Sequence, residues 1–256
     1  MNILAIGDVV GTTGCNFLLE KLPGLKRFKN IDVTIVNGEN SADGNGITPV
    51  SAEKLFNAGA DVITTGNHAF RRKEMYELYD SHPYILRPAN FPEGTTPGKG
   101  ICTLDMRSYS VNIINLMGTA FLESLDCPFR TMDKLLDEYP AEVTIVDFHA
   151  ESTGEKRAMG YYLDGKVSAV FGTHTHVQTA DETVLPKGCG YITDVGMTGP
   201  IDSVLGIKPD IIIEKMRNKM PVRFEIATGA CKLNAVIFNI NEKNGKTISA
   251  ERIEIV

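Results

Sequence analysis

Val167-Ser168-Ala169-Val170-Phe171-Gly172-Thr173-His174-Thr175-His176 is an apolar, β-branched run that stops on glycine and then delivers two histidines. Short runs of this kind read as strands. In α/β sheets the loops at the carboxyl ends of strands converge on one edge, where ligands bind. The arrangement recurs along the chain. Ile3 to Ile6 ends in Gly7-Asp8, and Val33 to Val36 ends in Asn37-Gly38-Glu39-Asn40. Val62 to Thr65 ends in Gly66-Asn67-His68, and Val143 to Phe148 in Asp147-Phe148-His149. Four of the five histidines fall in these segments, beside Asp, Glu and Asn, so hard and borderline ligand types for Mn, Fe, Zn or Mg gather at five strand ends. The i, i+2 spacing of His174 and His176 places both on one face of an extended segment, within reach of one metal site. Taken singly, each residue has an ordinary alternative. Asp8 can cap a helix, Glu39 or Asn40 can sit in a turn, and His149 can be a satisfied core histidine. Their joint placement is what points to a metal centre.

Between these runs the pattern is helical. Gly14 to Phe28 repeats Phe17, Leu18, Leu22 and Leu25 at helical spacing. Pro49 opens a helix with Ala52, Leu55 and Phe56 on its inner face and Gly59 near its end. Lys73 to Tyr79 and Met132 to Glu138 read as two more helices, while Ile101 to Leu104 and Val111 to Leu116 suggest adjacent strands on an antiparallel edge. After Thr198 the pattern turns mainly β, over Arg223 to Ile226, Leu233 to Ile240 and Ile248 to Ile255. This alternation predicts an α/β fold. Two β-rich halves flanked by helices fit a layered sandwich better than one doubly wound sheet. No repeat or linker interrupts the sequence, so one domain spanning residues 1–256 is expected.

Composition excludes several function classes. The formal net charge of −6, the absence of Trp and the lack of a basic stripe interleaved with aromatics argue against nucleic-acid binding. No run approaches the ~18 apolar residues of a membrane span, and the N-terminus meets Asp8 too early for a signal peptide. Cys15, Cys102, Cys127, Cys189 and Cys231 are odd in number and never form a CxxC pair, which suggests a reducing compartment and a cytoplasmic location. Gly11-Thr12-Thr13-Gly14 lacks the Gly-Lys-Ser/Thr of a P-loop, yet it offers N–H groups at a helix start, with Thr12 and Thr13 as candidate phosphate contacts. No Gly-x-Ser-x-Gly elbow is present, so an α/β-hydrolase is excluded.

Together, Asp8, Glu39-Asn40, Gly66-Asn67-His68, His149 and Gly172-Thr173-His174-Thr175-His176 resemble the calcineurin-like metallophosphoesterases, and within them the bacterial YmdB-like phosphodiesterases. The likeness runs from Asp8 to about Ile207 and takes in Asp194-Val195-Gly196-Met197-Thr198-Gly199-Pro200. It departs from the superfamily twice: Val10 stands where an Asp-x-His opening has its histidine, and Gly38-Glu39-Asn40 replaces a Gly-Asp motif. The resemblance implies a four-layer α/β/β/α sandwich that hydrolyses small cyclic nucleotides, especially 2′,3′-cyclic ones. It further implies two divalent ions, Mn or Fe ahead of Mg or Zn, about 3.5–4 Å apart and sharing a bridging hydroxide. Under it, Asp8, Glu39, Asn40 and His176 hold one ion and Glu39, Asn67, His149 and His174 the other. Glu39 is then the bridge, Asn40 helps fill the position vacated at Val10, and His68 is free to protonate the leaving alkoxide. A phosphomonoesterase or nucleotidase, and a regulatory scaffold with a residual metal site, are the competing readings. A small phosphodiester is the expected partner, with no membrane contact. A homo-oligomer and a regulatory protein partner stay open.

Overall fold

Side-chain alternation along the first strand sets up the layers. In β1 (Asn2–Ile6), Ile3 and Ala5 enter one core while Leu4 and Ile6 enter another. The computed structural model describes residues 1–256. After β1 come β2 (Asp8–Val9), α1 (Gly11–Lys29), β3 (Val33–Asn37), α2 (Pro49–Ala58), β4 (Val62–Thr64) and α3 (Tyr76–Ser81). The middle of the chain forms β5 (Ile101–Asp105), β6 (Ser110–Met117), α4 (Pro128–Glu138), β7 (Val143–His149), α5 (Thr153–Leu163) and β8 (Ala169–Thr173). It closes with β9 (Thr183–Val184), β10 (Gly190–Ile192), β11 (Met197–Pro200), α6 (Pro209–Asn218), β12 (Cys231–Asn241) and β13 (Lys246–Ile255).

Two sheets result. One has seven strands in the order β2-β11-β12-β1-β3-β4, with β13 also paired to β12; the other has six, β5-β6-β7-β8-β10-β9. Strands β1, β3 and β4 run parallel, as do β6, β7, β8 and β10. Leu18 and Leu22 of α1 and Leu55 of α2 pack on Leu4, Ile6 and Ile63 of the first sheet. Ile3, Ile35 and Phe238 meet Ile113, Ile145 and Phe171 between the sheets. Met132 and Leu135 of α4, with Met159 and Leu163 of α5, cover Ile114, Val146 and Val170 on the far face. The order helix, sheet, sheet, helix is the expected four-layer sandwich. No helix is long and apolar enough to cross a membrane.

Most of the expected elements lie within a few residues of the observed ones, but three expectations change. Lys73 to Tyr79 splits into a 3-10 turn, Lys73–Met75, and α3. Arg223 to Ile226 is not a strand. It has no partner ladder, only a single bridge from Ile226 to Ile207, and Arg223, Phe224 and Glu225 are exposed. Residues 209–218 form α6, a helix within the stretch after Thr198 expected to be mainly β. Pro209 suits the first turn of a helix, but Ile211-Ile212-Ile213 hides the helical period behind a β-branched run.

The inter-sheet layer is expected to carry much of the stability. Phe171→Ala should cost about 3–5 kcal/mol, because the ring is fully buried there and leaves a cavity. Phe28→Ala, at a ring 79% exposed, should change stability by under about 0.5 kcal/mol. Urea midpoints of the two variants check the contrast.

Candidate metal centre

The inter-sheet layer turns polar at one edge. The same inward-facing register that carries Val33 and Ile35 in β3 ends on Asn37, and Val62 in β4 is followed by Thr64. On the facing sheet, Val143 and Ile145 lead to Asp147 and His149, and Ala169 and Phe171 lead to Thr173. These ends meet across the layers. Asp147 Oδ2 accepts from the Thr64 hydroxyl at 2.5 Å and the Asn37 amide at 3.2 Å, while Oδ1 accepts from the Thr173 hydroxyl at 2.7 Å. Thr173 has spent its only proton on Asp147, so its oxygen, 2.8 Å from His149 Nδ1, must accept from the ring. Nδ1 therefore keeps its hydrogen, and Nε2 is the nitrogen that His149 presents to the cluster.

Around that nitrogen the predicted residues converge. His149 Nε2 lies 3.0 Å from Asn67 Oδ1, 3.0 Å from His174 Nδ1 and 3.3 Å from Glu39 Oε1. Glu39 Oε1 is also 3.1 Å from His68 Nδ1 and 3.2 Å from Asn40 Nδ2, and Oε2 accepts the His68 N–H at 3.1 Å. Asn40 Oδ1 is 3.0 Å from His68 Nδ1, which leaves His68 Nε2 without a protein partner. On the other flank, His176 Nε2 is 3.2 Å from Asn40 Nδ2 and 3.6 Å from Asp8 Oδ1. Its Nδ1 donates to the Leu205 carbonyl at 3.1 Å. Gly66 is required by this crowding, since a methyl there would overlap the His149 ring and Glu39 Oε2.

His174 and His176 reach the cluster differently from the expectation. They follow the end of β8 and are not extended: φ is +102° at His174 and +63° at His176, in the left-handed region that non-glycine residues avoid. Such backbone costs about 1–3 kcal/mol per residue and must be held by its surroundings. Asp194 does the holding. Its Oδ2 accepts the Thr175 N–H at 3.1 Å and pairs with Lys156 Nζ at 2.6 Å, with both side chains buried. The left-handed turns send the two rings to opposite flanks, His174 beside His149 and His176 beside Asp8 and Asn40. Glu151, which the sequence reading did not single out, fixes His174 from outside by accepting from Nε2 at 2.9 Å, so Nδ1 faces inward.

The electrostatics favour a cation. Burial pushes Asp8 and Glu39 up, but neighbouring histidines outweigh it: His176 holds Asp8 below the usual range, and His149 and His68 hold Glu39 well below it. Burial works against a charged His149, yet Glu39, Asp8 and Asp147 raise it to about 9. Burial alone dominates at Asp147, which rises to about 6. Asp8 Oδ1 is buried with no hydrogen-bond donor. An orphaned carboxylate oxygen, a second buried carboxylate and imidazole nitrogens form a donor set that fits a divalent metal ion. One ligand atom from each of Glu39, His149 and His174 lies within 4.8 Å of the others.

The cluster opens into a cleft of about 730 Å³ lined by Glu39, Asn40, His68, His174 and His176. Thr12 and Thr13 are not among its lining residues; the Thr12 N–H and hydroxyl are both bound to Asp43 instead. Asn37, Thr64, Asp147, Thr173, Lys156 and Asp194, which brace the cluster from within, had no role assigned from the sequence.

Residues 4–253 match the family model described as YmdB-like protein. The chain is 48% identical to the 2′,3′-cyclic-nucleotide 2′-phosphodiesterase of Bacillus subtilis, over all of this chain and 97% of that one. A crystal structure of a hypothetical protein from Thermus thermophilus superposes with a TM-score of 0.94 at 39% identity, covering 100% and 99% of the two chains. That of a novel phosphatase from Mycoplasma pneumoniae gives 0.95 at 35% identity, covering 100% and 93%.

A pH dependence follows from His149. In metal-free protein its raised basicity contributes stability that is complete below about pH 6.5 and lost as pH rises through about 9. A metal ion bound at His149 Nε2 would take the place of that proton, so its affinity should move oppositely. Apparent Mn²⁺ affinity should rise about tenfold per pH unit for each proton displaced and level off above about pH 9. Calorimetric titration of stripped protein, in buffers of different ionisation enthalpy, measures both affinity and proton release. Affinity that stays flat from pH 7 to pH 8.5 would rule out displacement of a proton from His149.

Proposed function

The chain belongs to the YmdB-like family, and from that premise we propose that it is a metal-dependent phosphodiesterase opening 2′,3′-cyclic nucleotides at the 2′ P–O bond. The observation that carries the reading is Glu39: one buried carboxylate whose Oε1 faces both His149 on one flank and Asn40 on the other. A carboxylate so placed can serve two ions at once, which a neutral side chain cannot. The relative in Bacillus subtilis supplies the substrate class.

In this reading Asp8, Asn40 and His176 would hold one divalent ion, Asn67, His149 and His174 would hold another, and Glu39 would serve both. Ligands at about 2.0–2.2 Å from a common ion sit roughly 3–3.5 Å from each other. The spacings of 3.0 Å from His149 to Asn67 and His174, and of 3.3 Å from His149 to Glu39, agree with that, while His176 and Asp8, 3.6 Å apart, lie just beyond it. Turning the Asn40 amide over would offer its oxygen to the His176 flank. The oxygen-rich first set favours Mn or Fe. When bound, the ions supply Lewis-acid polarisation of the phosphoryl group and a water acidified enough to attack it. His68 supplies the proton. Glu39 accepts from its Nδ1, and its Nε2 is free to protonate the 2′-oxygen as the P–O bond breaks, leaving a nucleoside 3′-phosphate. Buried thiols suit the reducing, cytoplasmic setting we infer: burial pushes Cys15, Cys102 and Cys189 up to about 12.

The Mycoplasma pneumoniae relative, described as a phosphatase, favours a phosphomonoesterase as the second reading. Mn²⁺-loaded protein should convert 2′,3′-cyclic AMP to 3′-AMP and stop there; continued release of inorganic phosphate would favour the second reading instead. Glu39→Gln should abolish turnover and lower metal content. His68→Ala should keep its metal and slow turnover by roughly 10²–10⁴, with a smaller loss on bis-p-nitrophenyl phosphate, whose leaving group scarcely needs a proton. An equal loss on both substrates would make His68 a positioning residue.

A further inference from the structure

The cleft has two unlike sides. Besides the polar cluster, its lining is apolar over Leu205, Ile207, Ile212, Met216, Phe224 and Ile226. These residues come from one folded segment. The Ala227 N–H donates to the Gly206 carbonyl at 2.9 Å, Lys208 and Glu225 pair at 2.6 Å, and Lys215 Nζ stands 4.5 Å from the Phe224 ring centre. His176 ties the segment to the metal centre through the Leu205 carbonyl. Yet the wall has no apolar cover. Leu205 is 48% exposed, Phe224 41% and Met216 63%, and α6 buries no residue at all.

Phosphodiester chemistry needs no such surface, because a phosphate and its ribose are polar throughout. The wall therefore belongs to another part of the substrate. Arg223, also in the lining, makes no ion pair or side-chain hydrogen bond, so it offers five N–H donors beside an apolar face. A hydrocarbon chain, which has no acceptors, would leave those donors unanswered. A nucleobase answers both, with a flat aromatic face for Phe224 and Met216 and acceptor atoms on its edge for Arg223. The volume of about 730 Å³ falls within the range of small-molecule sites, roughly 300–1,000 Å³.

We propose that the segment from Val204 to Ile226 is the nucleobase-binding wall of this cleft, with Phe224 and Met216 stacking on the base and Arg223 donating to its edge. The proposal rests on the phosphodiesterase reading and deepens it. Specificity for a nucleotide over a base-free cyclic phosphate is set by this segment and not by the metal cluster.

The test compares 2′,3′-cyclic AMP with ribose 2′,3′-cyclic phosphate, using Mn²⁺-loaded full-length protein. Wild type should prefer the nucleotide in kcat/KM, and Phe224→Ala should cut that preference about tenfold, mainly through KM. Met216→Ala should act in the same direction, Phe224→Tyr should restore the preference, and the remote Phe28→Ala should leave it unchanged. Adenosine, which has no phosphate, should inhibit wild type competitively and Phe224→Ala about tenfold more weakly. Metal content and circular dichroism identify a variant that has merely failed to fold; Phe224→Tyr and Met216→Ala then carry the comparison. Equal losses on both substrates, or a wild type indifferent to the base, would overturn the proposal. If wild type hydrolyses neither substrate, the phosphodiesterase reading fails by itself, and calorimetry of 3′-AMP with wild type and Phe224→Ala still decides the wall: unchanged affinity in the variant would overturn it.

Discussion

Two carboxylates held out of water at the seam between two sheets govern this molecule. Asp8 and Glu39 are buried, and an unpaired buried charge costs several kcal/mol. Four imidazoles, two amides and the backbone N–H groups of His68 and His174 surround them. Even so, Asp8 Oδ1 remains unpartnered. Without an ion, a proton on His149 acts as the missing positive charge, which is why that ring becomes so basic. The Asp147–Thr173–His149 chain, the glycine at position 66 and the left-handed turns at His174 and His176 all keep this electrostatic deficit in one place.

Strand ends were legible in the sequence because β-branched runs stop abruptly on polar residues, and all seven candidate ligands with His68 lie in one cluster. The buried support was harder to see. Asn37, Asp147 and Thr173 sit inside strands, where a polar residue at an alternate position looks like an outward-facing one. Following parity from Val33 and Ile35 to Asn37, or from Ile145 to Asp147, would have put them in the inter-sheet layer. The His174–His176 spacing suggested an extended segment, but the positive φ angles depend on Asp194 and Lys156, whose pairing with the turn no local pattern encodes. Segment 205–226, where a strand was expected at Arg223 to Ile226 and α6 went unread, differs for another reason. Its apolar residues cover a cleft rather than a core, so neither helical nor strand period organises them.

The Lys156–Asp194 pair shows how a distant layer can shape the centre. Lys156 belongs to α5, on the outer face of the six-stranded sheet, yet its ammonium reaches the carboxylate that holds Thr175. Buried ion pairs seldom add net stability compared with well-packed apolar residues. Here the gain is geometric: the pair fixes one peptide plane between two histidines that must diverge.

β1 lies between β3 and β12, so one of its neighbours comes from near the start of the chain and the other from residues 231–241. The Gly7 N–H completes this link by donating to the Asn234 carbonyl at 3.1 Å. A nascent chain leaving the ribosome can pair β1 with β3 early, but synthesis must run through more than two hundred further residues before β12 emerges. At about 5–20 residues per second, that wait lasts roughly 10–45 s. Throughout it, β1 carries an open row of N–H and C=O groups on a hydrophobic strand, a template for pairing with another chain. Each newly made molecule thus passes through an interval of vulnerability set by topology, in which the first strand is present and its last partner has not yet been translated.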